Sequence, residues 1–513
     1  MTTDTQLDTL EAKGLIRLVN YQPELEYLFR HWLVQDAAYG SLLRQERREL
    51  HRLVGEAIEL LYPDRSGELA GILALHFEQA GDTEKALHYL VAEGHYALDR
   101  NALREAFSAF DRARALLPRP AEEGGDPKLL RRRVDIELGR ARASWTFLPM
   151  EEVVAELDAI VPTAERLGDL ELLAEVHLHL ALVRLESGGA ANDAALQRSL
   201  ERVGQLGQAL DDPSLGALPL ALIGLNKVFI GPIREGVDSL ERAIPLMERR
   251  RDFIGAAFAR GWLAIGYANL GEFAKAEEAS RYATEQAAGG DLIAQLDAQI
   301  AAAMVRSLQG RLDDALPIAR ACVERSQETG ATACVVVSAW VLGDVYQRQG
   351  RVDDARSALE LGMELAPAIG SMGFWRPTLR AWLGSNDATA PTSDPADPSW
   401  EESIAAARER GNRPGEASIQ WKRAEALSKR GQWAAALSDF EASAAIWQEQ
   451  QARPNLARVL RRWGEALRAA DRQAEGDDKL RQALALFEDM GIEAEAYEVR
   501  QELAGLVPGG TTG

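Results

Sequence analysis

Turn residues that end a helix return through this chain at nearly fixed intervals, and no other feature constrains the fold as tightly. The fullest copy of the frame reads Leu342-Gly343, Tyr346, Gly350 and Ala355. It recurs as Leu73-Ala74, Phe77, Gly81 and Ala86, and as Leu263-Ala264, Tyr267, Gly271 and Ala276. Shorter copies turn at Gly189, Gly231, Gly310, Gly431 and Asp471. Positions 189, 231, 271, 310 and 350 are separated by 42, 40, 39 and 40 residues; 350 to 431 is 81, or two periods, and 431 to 471 is 40. The copy due near residue 390 has lost the frame.

Each position has a mechanical reason. Glycine takes the left-handed conformation that stops a helix, which a residue with a Cβ adopts only at a cost of about 1 kcal/mol. The small residue five positions later lets the next helix lie close against the first. The aromatic residue four before the turn fills the space between hairpins. The pattern predicts an all-α chain, a right-handed superhelical solenoid of helical hairpins with a period of about 40. A solenoid buries its core between neighbours, so length does not count domains.

Composition narrows the function. The content of 46% hydrophobic and 27% charged residues is ordinary for a folded protein. A net charge of -21 opposes wrapping of nucleic acid, because affinity for phosphates needs concentrated Lys and Arg. No apolar run approaches the 18 or so residues of a membrane span, and MTTDTQLDTL lacks the basic and apolar regions of a signal peptide. No membrane is expected, and the cytoplasm is the expected compartment. The two cysteines, Cys322 and Cys334, read as buried free thiols.

Residues 1–45 stand outside the frame. Leu7 to Lys13 reads as a short helix, with short strands at Leu15 to Val19 and Tyr27 to Phe29, the arrangement that closes a winged helix. The expectation is a partial winged-helix remnant, as if the chain began partway through a domain. Apolar spacing from Trp32 to Leu61 is helical throughout. A first helical repeat unit follows over 46–117, then a Pro- and Gly-rich linker at 118–127. A central array spans 128–383, a Pro-, Ser- and Asp-rich loop 384–399, further repeats 400–506 and a loose tail 507–513.

The hairpin frame resembles the tetratricopeptide repeat, whose usual period is about 34 residues. With the longer period it is similar to the superhelical repeats of large signal-transducing NTPases, including LuxR-type regulators. The stretch Phe29-Arg30-His31-Trp32-Leu33-Val34-Gln35-Asp36-Ala37-Ala38-Tyr39-Gly40-Ser41-Leu42-Leu43 resembles the end of the winged helix in bacterial STAND-class signalling ATPases. Arg47-Arg48, Leu50-His51, His76-Phe77 and Gly81-Asp82 continue that family's order. His31 falls in a pattern similar to the MHD-type motif of nucleotide-binding receptors, which implies a nucleotide-sensing histidine only beside an NTPase partner. The chain has no Gly-Lys pair, and so no phosphate-cradling loop. No cofactor, catalytic residue or metal ligand is expected: His177 and His179 point to different sides of a helix, and no nucleophile motif occurs.

In tetratricopeptide arrays the first helix of each hairpin lines the concave face. Carried onto this chain, the inward positions include Phe229, Phe258, Ile265, Met304, Trp340, Asp344 and Arg348, then Trp421 and Arg461. The leading expectation is a non-enzymatic sensor or protein-interaction arm of a STAND-like regulator, binding a protein or peptide partner on that face. Two alternatives stand beside it. A regulatory subunit of a separately encoded ATPase or nucleotide cyclase would co-purify with that NTPase or cyclase module. A DNA-binding transcription regulator would shift duplex DNA, against the acidic balance.

Overall fold

The computed structural model describes residues 3–20, 26–100, 102–118, 126–144, 148–186, 194–249, 251–288, 292–366, 375–386 and 397–505. The chain divides into two units, Met1–Ala143 and Ser144–Gly513.

The first unit opens with α1 (Thr3–Ala12) and an antiparallel ribbon of β1 (Ile16–Asn20) and β2 (Glu26–Phe29), with Ile16 paired to Phe29. Helices α2 (Trp32–Ser41) and α3 (Arg44–Leu61) follow. The single helical run expected from Trp32 to Leu61 is therefore broken. Leu42 and Leu43 are extended, and Glu46 reaches back to accept a 2.8 Å hydrogen bond from the Leu43 amide. That carboxylate satisfies a backbone donor left open at a new helix start. Next come α4 (Ala70–Ala80), α5 (Thr83–Asp99), α6 (Leu103–Leu116) and α7 (Pro127–Ser144). Phe77 and Phe110 are fully buried at their centre. Phe110 sits in a slot between two glycines: a Cβ on Gly94 would meet its ring at 2.6 Å, and one on Gly139 at 2.4 Å.

The second unit is a run of antiparallel helices. It starts with α8 (Met150–Leu167), α9 (Leu170–Glu186) and α10 (Ala194–Ala209). Hairpins α11 (Ala217–Ile230) with α12 (Ile233–Arg249), α13 (Phe253–Leu270) with α14 (Phe273–Ala287), α15 (Leu292–Leu308) with α16 (Leu312–Glu328), and α17 (Thr332–Arg348) with α18 (Val352–Leu365) follow. Then come α19 (Trp375–Asn386), α20 (Ser399–Glu409), α21 (Arg413–Lys429) with α22 (Trp433–Glu449), α23 (Arg453–Ala469) with α24 (Gln473–Met490), and α25 (Glu493–Leu503).

The expected turns carry positive φ at Gly81, Gly231, Gly271, Gly310, Gly350, Gly431 and Asp471. Gly189 lies outside the described residues, as do most of the linker at 118–127 and of the loop at 384–399. The small positions that follow, among them Ala276, Ala315, Ala355 and Ala436, are fully buried. A second series of left-handed residues, Arg251, Gly330, Gly411, Gln451 and Gly491, closes the other end of the hairpins about half a period away.

Within this unit the path curls back on itself. Helix α21 packs on α11 and α23 on α13, ten helices on in each case. Five hairpins thus complete one superhelical turn, and the next turn rests on the turn residues of the first. Gly271 abuts Met490, Gly310 abuts Ile492 and Glu495, and Asn455 Nδ2 donates to Asn269 Oδ1 at 3.3 Å.

Candidate functional site

The curl encloses a cavity of about 690 Å3, inside the range of roughly 300–1,000 Å3 typical of ligand sites. Its wall comes chiefly from the first helix of each hairpin: α11, α13, α15, α17, α21 and α23, with α19 and α25. The lining is uneven in chemistry. Phe229, Trp262, Ile265, Met304 and Trp340 give an apolar part on α11, α13, α15 and α17, and Arg458, Arg461, Arg462, Glu465, Glu495 and Glu498 give a charged part on α23 and α25.

Of the nine inward positions named above, eight lie on this wall: Phe229, Ile265, Met304, Trp340, Asp344, Arg348, Trp421 and Arg461. Phe258 does not; it is half-buried, and its ring stands edge-on to Trp262 with centroids 6.2 Å apart. Trp262, four residues further along α13, takes the inward place. Trp340 meets Trp382 edge-on at 5.8 Å between centroids. Asp344 accepts from the Ser307 hydroxyl at 3.1 Å and from the Trp382 indole at 3.4 Å, which ties α15, α17 and α19 together at the wall.

Lys422 is buried over two aromatic faces, 4.9 Å from the Trp382 ring centroid and 4.6 Å from that of Trp421, and 3.1 Å from Glu425. Burial alone would raise the Glu425 carboxyl, but Lys422 and Arg462 outweigh it and hold it below the usual range. A triad closes one rim. Arg458 donates from Nε to Glu495 Oε1 at 2.7 Å, from Nη2 to Glu495 Oε2 at 2.9 Å and from Nη2 to the Leu308 carbonyl at 2.8 Å. Arg348 donates to the same carboxylate at 3.3 Å and to the Ser307 carbonyl at 2.6 Å. Burial would raise Glu495, yet Arg458 and Arg348 bring it down to about 2.

The sequence reading missed Trp382, Glu495 and Glu498 on this wall. Trp382 belongs to the copy that lost its frame. The two glutamates enter only because the superhelix closes after five hairpins, a curvature that no repeat spells out.

The other residues singled out in the sequence, His31, Cys322 and Cys334, are not part of this lining. His31 is exposed at the start of α2, and Tyr39, on the same helix, pairs with His51 instead. Cys322 and Cys334 are buried thiols, and burial pushes Cys322 up to about 12. Among the described residues no group of three or more His, Cys, Asp and Glu could hold a metal ion, and no helix is long and apolar enough to cross a membrane.

The first unit holds a short imidazole chain. Tyr39 Oη lies 3.0 Å from His51 Nε2, and His51 Nδ1 lies 3.0 Å from His76 Nδ1. Burial lowers both histidines, and His51 lowers His76 further. The folded unit therefore binds fewer protons here than the unfolded chain. This contribution is complete above the ordinary imidazole value of about 6.5 and is lost as pH falls below it. His95 acts oppositely: Asp135, 3.3 Å away, raises it against burial, so its contribution is complete below about 6.5 and lost as pH rises through the raised value. Replacing His51 by glutamine is expected to reduce the acid-side loss of stability. Thermal midpoints of the first unit at about pH 7.5 and 5.5 check this, and an unchanged difference between the two pH values refutes it.

Comparison with known proteins agrees with the hairpin architecture. Residues 293–368 match the tetratricopeptide repeat family. Over 99 residues the chain is 33% identical to an uncharacterised protein of Rhizobium meliloti (strain 1021), covering 19% of this chain and 10% of that one. The chain thus spans about a tenth of the length of the curated relative it matches. Among solved structures it is similar to a Rap protein complexed with Competence and Sporulation Factor, with a TM-score of 0.53, 12% identity, and coverage of 70% of this chain and 99% of that one. It is also similar to a STAND protein with a tetratricopeptide repeat sensor from Pyrococcus horikoshii, with a TM-score of 0.41, 14% identity, and coverage of 92% of this chain and 67% of that one. The matched residues 293–368 run from α15 through α18, and the hairpins around them have the same antiparallel two-helix build.

Proposed function

We propose that this chain is a non-catalytic, cytoplasmic sensing arm of a STAND-like regulator, and that its second unit receives a protein or peptide on the inner wall. The observation that carries the reading is the convergence of Phe229, Trp262, Ile265, Met304 and Trp340 on one concave surface. Apolar side chains gathered in a concavity together with charged groups suit an amphipathic occupant better than a polar metabolite. The Rap protein of similar fold is complexed with Competence and Sporulation Factor; we extend only the idea of an occupied inner wall. The stretch from Phe29 to Leu43, together with the helix and ribbon before it, supports attachment to an NTPase, for which His31 would be the sensing residue. An occupant acts on such a regulator only through different affinities for its states.

The test is selection of a random peptide library on the intact chain and on its Trp340→Glu variant. Peptides enriched by the parent are expected to bind the variant at least tenfold more weakly, with equal melting midpoints for the two proteins. Equal binding by both proteins removes the apolar wall from the site.

A further inference from the structure

We propose that the charged part of the cavity is a site for an acidic helical segment, and that α25 is the internal segment now occupying it. This rests on the reading of the inner wall as the binding surface and names the chemistry of one of its parts.

The arginines come from elements that precede α25, and the carboxylates that neutralise them come largely from α25 itself. Arg458 and Arg348 share Glu495. Arg461 contacts Glu498 and donates from Nε to Glu502 Oε1 at 3.0 Å, while Arg468 Nη1 donates to the Glu502 backbone carbonyl at 2.8 Å. Glu495, Glu498 and Glu502 stand at i, i+3 and i+7, so they lie on one face of the helix. Without them, Arg348, Arg458 and Arg461 would face the cavity with much less negative charge opposite. The wall is in effect a receptor for three carboxylates spaced along about two turns of helix.

Helix α25 is held by few apolar side chains, with Ile492 buried just before it and Leu503 partly buried at its end. Its fully buried side chains are Ala496 and Val499, while Tyr497 is 60% exposed. A helix of 11 residues has little stability of its own, so its order depends on this contact. An external helix with carboxylates at i, i+3 and i+7 and small residues at i+1 and i+4 can exchange one set of ion pairs for an equivalent one. The exchange releases α25 from the rim that Arg458 forms with the Leu308 carbonyl. Occupation of the arginine wall and release of the terminal helix are then the same event.

The probe is a labelled peptide copying Glu493 to Leu503, EAEAYEVRQEL, with glutamine in place of the arginine matching Arg500 so that trypsin spares it, and a second version in which the glutamates matching Glu495, Glu498 and Glu502 are also glutamines. The full chain carrying Glu495→Gln, Glu498→Gln and Glu502→Gln is expected to bind the acidic peptide at least tenfold more tightly than the parent, and to ignore the glutamine version. A second full-chain variant, Val499→Asp, loosens α25 without touching its glutamates and is expected to show the same gain. In the unmodified chain, excess acidic peptide is expected to speed tryptic cleavage at Arg500. Equal affinity of parent and variants for the peptide, equal binding of its two versions, or cleavage at Arg500 that excess peptide leaves unchanged overturns the proposal. Library peptides that depend on Trp340 would survive that outcome, so the two readings fail separately.

Discussion

Phe110→Ala is expected to lower the stability of the first unit by about 3–5 kcal/mol, the usual cost of emptying a large aromatic site in a core. The expectation rests on the slot between Gly94 and Gly139, which holds a fully buried ring with no room for a Cβ on either side. Three successive helices, α5, α6 and α7, meet on this side chain, so the void cannot close by moving one of them. The geometry also predicts non-additivity. Gly139→Ala alone is expected to destabilise, because its methyl group collides with the ring. In the Phe110→Ala background the same change puts matter into the cavity and is expected to restore part of the loss, giving a coupling of about 1–3 kcal/mol. Denaturant unfolding of the four proteins measures the cycle, and additive effects would show that the ring and the glycine do not share one space.

Gly236→Val is expected to destabilise the second unit by at least roughly 3 kcal/mol, at or above the upper end of ordinary overpacking. A Cβ at 236 would lie 2.7 Å from the Gly224 carbonyl oxygen and 2.8 Å from the Val228 amide nitrogen. Both are backbone atoms of the partner helix and cannot turn aside as a side chain could. A Cβ on Gly224 would in return meet the Gly236 carbonyl oxygen at 2.9 Å, so α11 and α12 approach backbone to backbone at both glycines. The buried pair Gly464 and Gly476 repeats this contact between α23 and α24, and Gly476→Val is expected to behave alike. Thermal midpoints within a degree of the parent would show that the hairpin opens at little cost.

The fold was largely legible because its determinants are local. A turn glycine, a small residue five places on and an aromatic residue four places before it all lie within one hairpin, and the chain repeats them. The counterpart series at Gly330, Gly411 and Gly491 was equally present in the sequence at intervals of 81 and 80, and would have located the opposite hairpin ends. Helix breaks set by backbone capping, such as that at Leu43, are harder to see, because leucine is no ordinary cap and the apolar periodicity runs straight through it.

The inner wall was legible for the same reason and only to the same distance. Inward positions follow from the phase of each first helix, and Met304, Trp340 and Arg461 all line the one cavity. Phase fails where a helix rotates slightly, and Trp262 replaces Phe258. It says nothing of residues that arrive from the following superhelical turn, since these depend on the sum of many small interhelical angles.

That summation has a mechanical consequence. A spring whose coils touch cannot change its pitch in one place without sliding at the seam, and here the seam passes between Asn269 and Asn455 and beneath Arg458. Any tilt introduced in the intervening hairpins is carried around the loop and delivered there as a single displacement. A distance label across those two asparagines would therefore read the conformation of all five hairpins at once.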